Sequence, residues 1–187
     1  MSELLRTVFY DQHAALGAKI VDFVGWEMPI FYPTGILEEH LATRKGAGLF
    51  DVSHMGRFIV RGAGALRFLQ HVLTNNAEAL DIRETGAQYK LIPNESGGAV
   101  DDAYLYRFVE DEYLLVVNGA NREKNWSYLQ PILKKFSDIE MTDQTKEIAM
   151  IAFQGPNSCL LYTSPSPRDS TLDLVCRLLL EKMGGGG

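Results

Sequence analysis

The stretch that most constrains the fold runs from Asn94 to Tyr106, reading Asn-Glu-Ser-Gly-Gly-Ala-Val-Asp-Asp-Ala-Tyr-Leu-Tyr. Asn94, Ser96, Gly97 and Gly98 mark a turn, and the apolar and aromatic run behind them marks a strand. Side chains alternate faces along a strand, so the adjacent Asp101 and Asp102 must point in opposite directions. Asp102 then shares a face with Val100, Tyr104 and Tyr106, and Asp101 with Ala99, Ala103 and Leu105. A carboxylate walled by phenol rings is a candidate for chemistry, because burial makes an unpaired charge costly and so reactive toward a cation. A strand end with two solvated acids is the plainer reading, and pattern alone favours it.

Residues 3–16 read as a first helix, with Leu4, Leu5, Val8 and Phe9 at helical spacing and Gly17 as its C-cap. Lys19 to Phe23 is a short strand. Phe23 to Tyr32 holds Gly25 and Pro29 among its aromatics and reads as a packed loop or an edge strand. Thr34 is the expected N-cap of a helix over 35–45, with Ile36, Leu37 and Leu41 as its inward stripe. Leu49 to Gly56 reads as a buried strand running into a polar turn. Arg57–Arg61 and Gly86–Ile92 are strands, and Ala63–Leu73 is an amphipathic helix stopped by Thr74-Asn75-Asn76. Residues 99–118 form a hairpin. Asn121 to Phe136 is a helix in which Pro131 forces a kink or a late break. Strands at 139–142 and 147–153 follow. Helices and hairpins in this mixed order imply an α+β fold with largely antiparallel sheet.

The chain has 187 residues, 46% hydrophobic and 22% charged, which fits a globular protein with a proper core. A net charge of -6 argues against a nucleic-acid surface, which needs a basic patch. No apolar run approaches the roughly 20 residues that span a bilayer. The only cysteines, Cys159 and Cys176, exclude a disulfide framework over the first 158 residues and favour a reducing compartment. No signal or transit segment is seen at the start, so a cytoplasmic location is expected. His13, His40, His54 and His71 lack ligand spacing, so no metal is expected. Gly62-Ala63-Gly64 does not continue into a nucleotide fingerprint.

Three blocks together resemble the aminomethyltransferase, or T-protein, family of the glycine cleavage system. They are Gly17 to Pro29 (GAKIVDFVGWEMP), Gly48 to Gly56 (GLFDVSHMG) and Asn94 to Asp102 (NESGGAVDD). Asn118-Gly119-Ala120-Asn121 and Ile151 to Pro156 (IAFQGP) fit the same pattern. The resemblance covers roughly Leu5 to Ser158. It implies the folate-binding aminomethyltransferase fold, here truncated: residues 1–158 as an incomplete folate-binding region and 159–187 as a tail foreign to the family. It also implies an activity, the transfer of an aminomethyl carbon from lipoylated H-protein to tetrahydrofolate with release of ammonia. Expelling the lipoyl thiolate leaves an iminium-like carbon, and a fixed carboxylate can stabilise that cation. The family's carboxylate carries onto Asp102. Met55, Tyr89 and Asn118 would line the folate pocket, with Tyr104 and Tyr106 as a wall for the pterin. Asp101 is expected to be structural. The lipoylated H-protein is the implied partner, and neither nucleic acid nor membrane is. The alternatives are a non-catalytic folate-binding protein on the same fold, or the folate domain of a dimethylglycine or sarcosine oxidising enzyme.

A regular, even hairpin would turn Asn118 away from Asp102. An odd turn or a bulge is therefore expected between them. A shortened chain is also expected to leave apolar surface exposed.

Overall fold

A computed structural model describes residues 3–80 and 86–160. In chain order its elements are β1 (Leu5–Arg6), α1 (Tyr10–Ala15), β2 (Lys19–Phe23), β3 (Trp26–Phe31), α2 (Ile36–Lys45), β4 (Gly48–Asp51) and β5 (Gly56–Arg61). Then come α3 (Ala65–Val72), β6 (Ala87–Pro93), β7 (Ala99–Val109), β8 (Glu112–Val117), α4 (Arg122–Leu133), β9 (Glu140–Asp143) and β10 (Ile151–Gln154). The fold is α+β, and every described strand pairing is antiparallel except β1 with β3. The chain divides into two compact units, residues 55–148 and the described segments on either side. The tail expected over 159–187 lies outside the described residues from 161 on.

The unit formed by 55–148 is a five-stranded sheet in the order β6-β7-β8-β5-β9. Period-two alternation sorts its residues cleanly. Phe58 and Val60 of β5, Ala103 and Leu105 of β7, and Tyr113, Leu115 and Val117 of β8 turn to one side. There they meet Phe68, Leu69 and Val72 of α3 and Leu129 of α4 in one apolar core. Trp126 of α4 sets its ring edge-on to Phe58 at 5.0 Å. α4 ends at Leu133, just past Pro131, so the proline acts as a late break.

The other unit departs from the sequence reading. The helix expected over 3–16 is instead β1, a turn and the short α1. Leu5 and Arg6 pair with Trp26 and Glu27, a non-local partnership that local helical spacing cannot reveal. The segment expected to be a packed loop or edge strand holds the strand β3, in the middle of the β1-β3-β2 sheet. Pro29 is tolerated because β1 reaches only Trp26 and Glu27, which leaves that flank of Pro29 without a strand to bond. Ile30 is looped out where Lys19 pairs with Phe31 and Ile20 with Pro29. Gly35, not Thr34, is the N-cap of α2; its φ of 88° is a conformation few other residues adopt. The last strand begins at Ile151, later than expected.

The apolar stripe of α2 is not buried as expected: Ile36 and Leu37 are 66% and 67% exposed. The strand read as buried, β4, pairs with β10 and leaves Leu49 70% exposed. Apolar patterning marks these faces for burial, and nothing in the described residues covers them. Among the described residues, no helix is long and apolar enough to cross a membrane.

Candidate active site

The geometry starts at the Asn94 turn. The Asn94 Oδ1 accepts from the N–H of Ser96 at 3.1 Å and of Gly98 at 2.8 Å, and Gly97 supplies the positive φ of 83° that closes the loop. This launches β7 with Asp101 toward α4 and Asp102 toward the opposite face of the sheet.

The hairpin carries the expected irregularity. Arg107 pairs with Tyr113 but Val109 pairs with Glu112, so Phe108 is a bulge. The shift sets Ala103 opposite Val117 and brings Asn118, one residue on, beside Asp102. Asn118 Nδ2 donates to Asp102 Oδ1 at 2.6 Å and to Asp101 Oδ1 at 2.9 Å. The other oxygen of Asp102 accepts from the Tyr89 hydroxyl at 3.1 Å. That hydrogen bond, more than burial, raises the Tyr89 phenol above its ordinary value. Two neutral donors hold Asp102 in place without cancelling its charge.

Tyr89 and Tyr104 are cross-strand partners with ring centroids 5.8 Å apart. Tyr106 follows at 5.8 Å and Phe108 stacks on it at 6.0 Å. The aromatic face therefore continues past the wall read from the sequence. Tyr106 is 3% exposed and its phenol is pushed up to about 12 by burial, so it backs the wall and Tyr89 and Tyr104 front it. Gly56 pairs with Val117, which sets Met55 alongside Asn118 in the same row. The buried Arg57 fixes Met55 by donating from Nη1 to its carbonyl at 2.5 Å. Met55, Tyr89, Tyr104, Asn118 and Asp102 thus converge on one corner of the sheet.

Asp101 is buried on the other face and receives two further amides, Asn121 Nδ2 at 3.0 Å and Asn125 Nδ2 at 2.5 Å. Sequence reasoning passed over both, although 118, 121 and 125 have the spacing of one helical face. His13 was set aside for lack of ligand spacing, yet its Nδ1 lies 2.7 Å from the Tyr32 hydroxyl and its Nε2 lies 3.1 Å from Asp51 Oδ2. No spacing signal joins His13, Tyr32 and Asp51, because folding alone brings them together. Next to them opens a mostly apolar cavity of about 680 Å³, lined also by Phe9, Leu49 and Phe50, which holds none of the residues singled out from the sequence. Among the described residues, no group of three or more His, Cys, Asp or Glu is placed to hold a metal.

Burial pulls the Asp101 carboxyl up, but the amides of Asn125, Asn118 and Asn121 outweigh it and hold Asp101 below the usual range. Asp143 is likewise held low against burial, by Thr145 and by Arg122, whose Nη2 lies 2.6 Å away. A folded value below the unfolded one gives stability that is complete above the unfolded pKa of about 4 and is lost as pH falls through the folded value. Urea midpoints should therefore be flat above about pH 5 and drop below about pH 4. A midpoint that holds steady down to about pH 3 would show that these carboxylates gain nothing on folding.

A family model described as the GCVT N-terminal domain matches residues 9–173. The aminomethyltransferase of one Thermus thermophilus strain is 49% identical over 156 residues, spanning 83% of this chain and 44% of the relative. That of Deinococcus deserti is 46% identical, spanning 83% of this chain and 42% of the relative. A crystal structure of the glycine cleavage system aminomethyltransferase T from Bartonella henselae superposes with a TM-score of 0.78 at 36% identity, spanning 88% of this chain and 45% of that one. The chain spans less than half the length of the relatives it matches. With its antiparallel sheet, its Asp101-Asp102 strand and this match over most of its length, the chain belongs to the GCVT N-terminal domain family.

Proposed function

We propose that this chain is the folate-binding part of an aminomethyltransferase of the glycine cleavage system. The complete enzyme takes the aminomethyl carbon from the lipoyl arm of H-protein, passes it to tetrahydrofolate and releases ammonia. The observation that carries this reading is the half-buried Asp102, held by Asn118 and by Tyr89, whose ring packs edge-on to Tyr104. Such a carboxylate suits an iminium-like carbon, because a preorganised anion near developing positive charge lowers the barrier without reorganising. The Tyr89 and Tyr104 rings offer a face for the pterin, and Met55 closes the row. The relatives' names support the same activity. The enzyme works in the cytoplasm and needs no metal.

Calorimetric titration with tetrahydrofolate, followed by a transfer assay with aminomethylated H-protein, tests this reading. Saturable one-site binding is expected, with weak or absent transfer, because the chain spans less than half of its relatives. No binding at millimolar tetrahydrofolate would overturn it.

A further inference from the structure

Asp101 sits in a cage that holding a one-carbon cation does not require. It is on the helix side of β7, facing away from the aromatic wall, and three asparagine amides converge on it. One of these, Asn118, also touches Asp102. An ionised carboxylate can only accept hydrogen bonds, whereas an asparagine amide has one donating and one accepting end. With Nδ2 at 2.9 Å from Asp101 and 2.6 Å from Asp102, both N–H groups of Asn118 are in use. The flipped amide would push its carbonyl oxygen against two carboxylate oxygens. Asp102 alone could not fix this choice, because it lies half-exposed on the strand. Asp101 can, because Asn121 at 3.0 Å and Asn125 at 2.5 Å tie it to the start of α4.

We propose that Asp101 is a positioning residue of the site, turning the Asn118 amide so that its N–H groups span the two carboxylates and its carbonyl oxygen is left to accept an N–H of the ligand. The ligand's identity rests on the functional reading above; the orientation of Asn118 does not. On this account Asp102 and the Asn118 oxygen both present acceptors at the corner and favour a flat ring that carries N–H groups. The low Asp101 pKa agrees, since the cage works only while Asp101 is ionised.

A merely structural tie between β7 and α4 would leave ligand affinity unmoved in any variant that folds. The test labels the 20.9 kDa chain with 15N-asparagine and assigns the Asn118 side-chain resonance pair by its loss in Asn118→Ala. In ligand-free Asp101→Asn, the Asn118 pair is expected to shift, and tetrahydrofolate to bind about tenfold more weakly, as for a lost hydrogen bond to a charged group. Asn121→Ala removes one arm of the cage and should move both readouts the same way by a smaller amount. A folded Asp101→Asn with the Asn118 pair in place and affinity unchanged overturns the proposal. Should Asp101→Asn not fold, an unmoved Asn118 pair and unchanged affinity in Asn121→Ala overturn it equally. If the wild-type chain binds no tetrahydrofolate, the functional reading fails, and the ligand-free Asn118 shift alone decides the positioning role.

Discussion

In a version of the chain extended to the full length of its relatives, Asp102→Asn is expected to slow aminomethyl transfer by about 100- to 1,000-fold. Tetrahydrofolate affinity should change by less than about tenfold. The asymmetry follows from what Asp102 touches. Its ground-state partners are two neutral donors on separate oxygens, Asn118 and Tyr89; an asparagine at 102 can still accept from Asn118 through its carbonyl oxygen while its NH2 donates to the Tyr89 hydroxyl oxygen. What it loses is the negative charge, which matters most when the transferred carbon becomes cationic. An interaction made mainly in the transition state appears in turnover and not in binding. Single-turnover transfer and calorimetry on the same preparation separate the two. Equal losses in both would reduce Asp102 to a ligand for the ring.

Phe58→Ala is expected to destabilise the 55–148 unit by about 3–5 kcal/mol. Phe58 is fully buried on β5, one strand in from the β9 edge, between Leu115 across the β5–β8 pairing and the Trp126 ring from α4. Truncation removes both the transfer energy of the ring and the packing around it, and close-packed neighbours relax only partly into the gap. The loss would reach the site, because α4 carries Asn125 with Asn121 at its N-cap, and β5 follows directly on Met55. Urea unfolding followed by Trp126 fluorescence measures it; a loss below about 1 kcal/mol would show that the core collapses around the cavity.

Much of the candidate site was legible because strand parity needs no partner. Asp102, Tyr104 and Tyr106 share a face for any straight strand through 99–106, and that strand is present. The Phe108 bulge was legible indirectly, as the condition for Asn118 to reach Asp102. The amphipathic α3 was legible because its apolar residues recur every three or four positions and all find the sheet.

What was missed depends on non-local pairing or on a neighbour the apolar pattern cannot name. β1 looks helical in isolation and becomes a strand because Trp26 and Glu27 lie beside it. Pro29 argued against a regular strand, yet the short reach of β1 leaves room for it. Ile36 and Leu37 carry an apolar stripe whose partner is not among the described residues, so pattern and burial disagree. Asp101 was expected to be structural and is buried; the asparagines that hold it lay in plain spacing at 118, 121 and 125.

The most direct test of the central claim, that tetrahydrofolate sits against Asp102 and Asn118, is a nuclear magnetic resonance titration of the chain labelled at asparagine and tyrosine. The account predicts that the Asn118 amide and the Tyr89 and Tyr104 rings shift together and saturate at the calorimetric dissociation constant, while Tyr32 beside His13 stays in place. Saturable binding that moves Tyr32 and leaves Asn118, Tyr89 and Tyr104 untouched would contradict it.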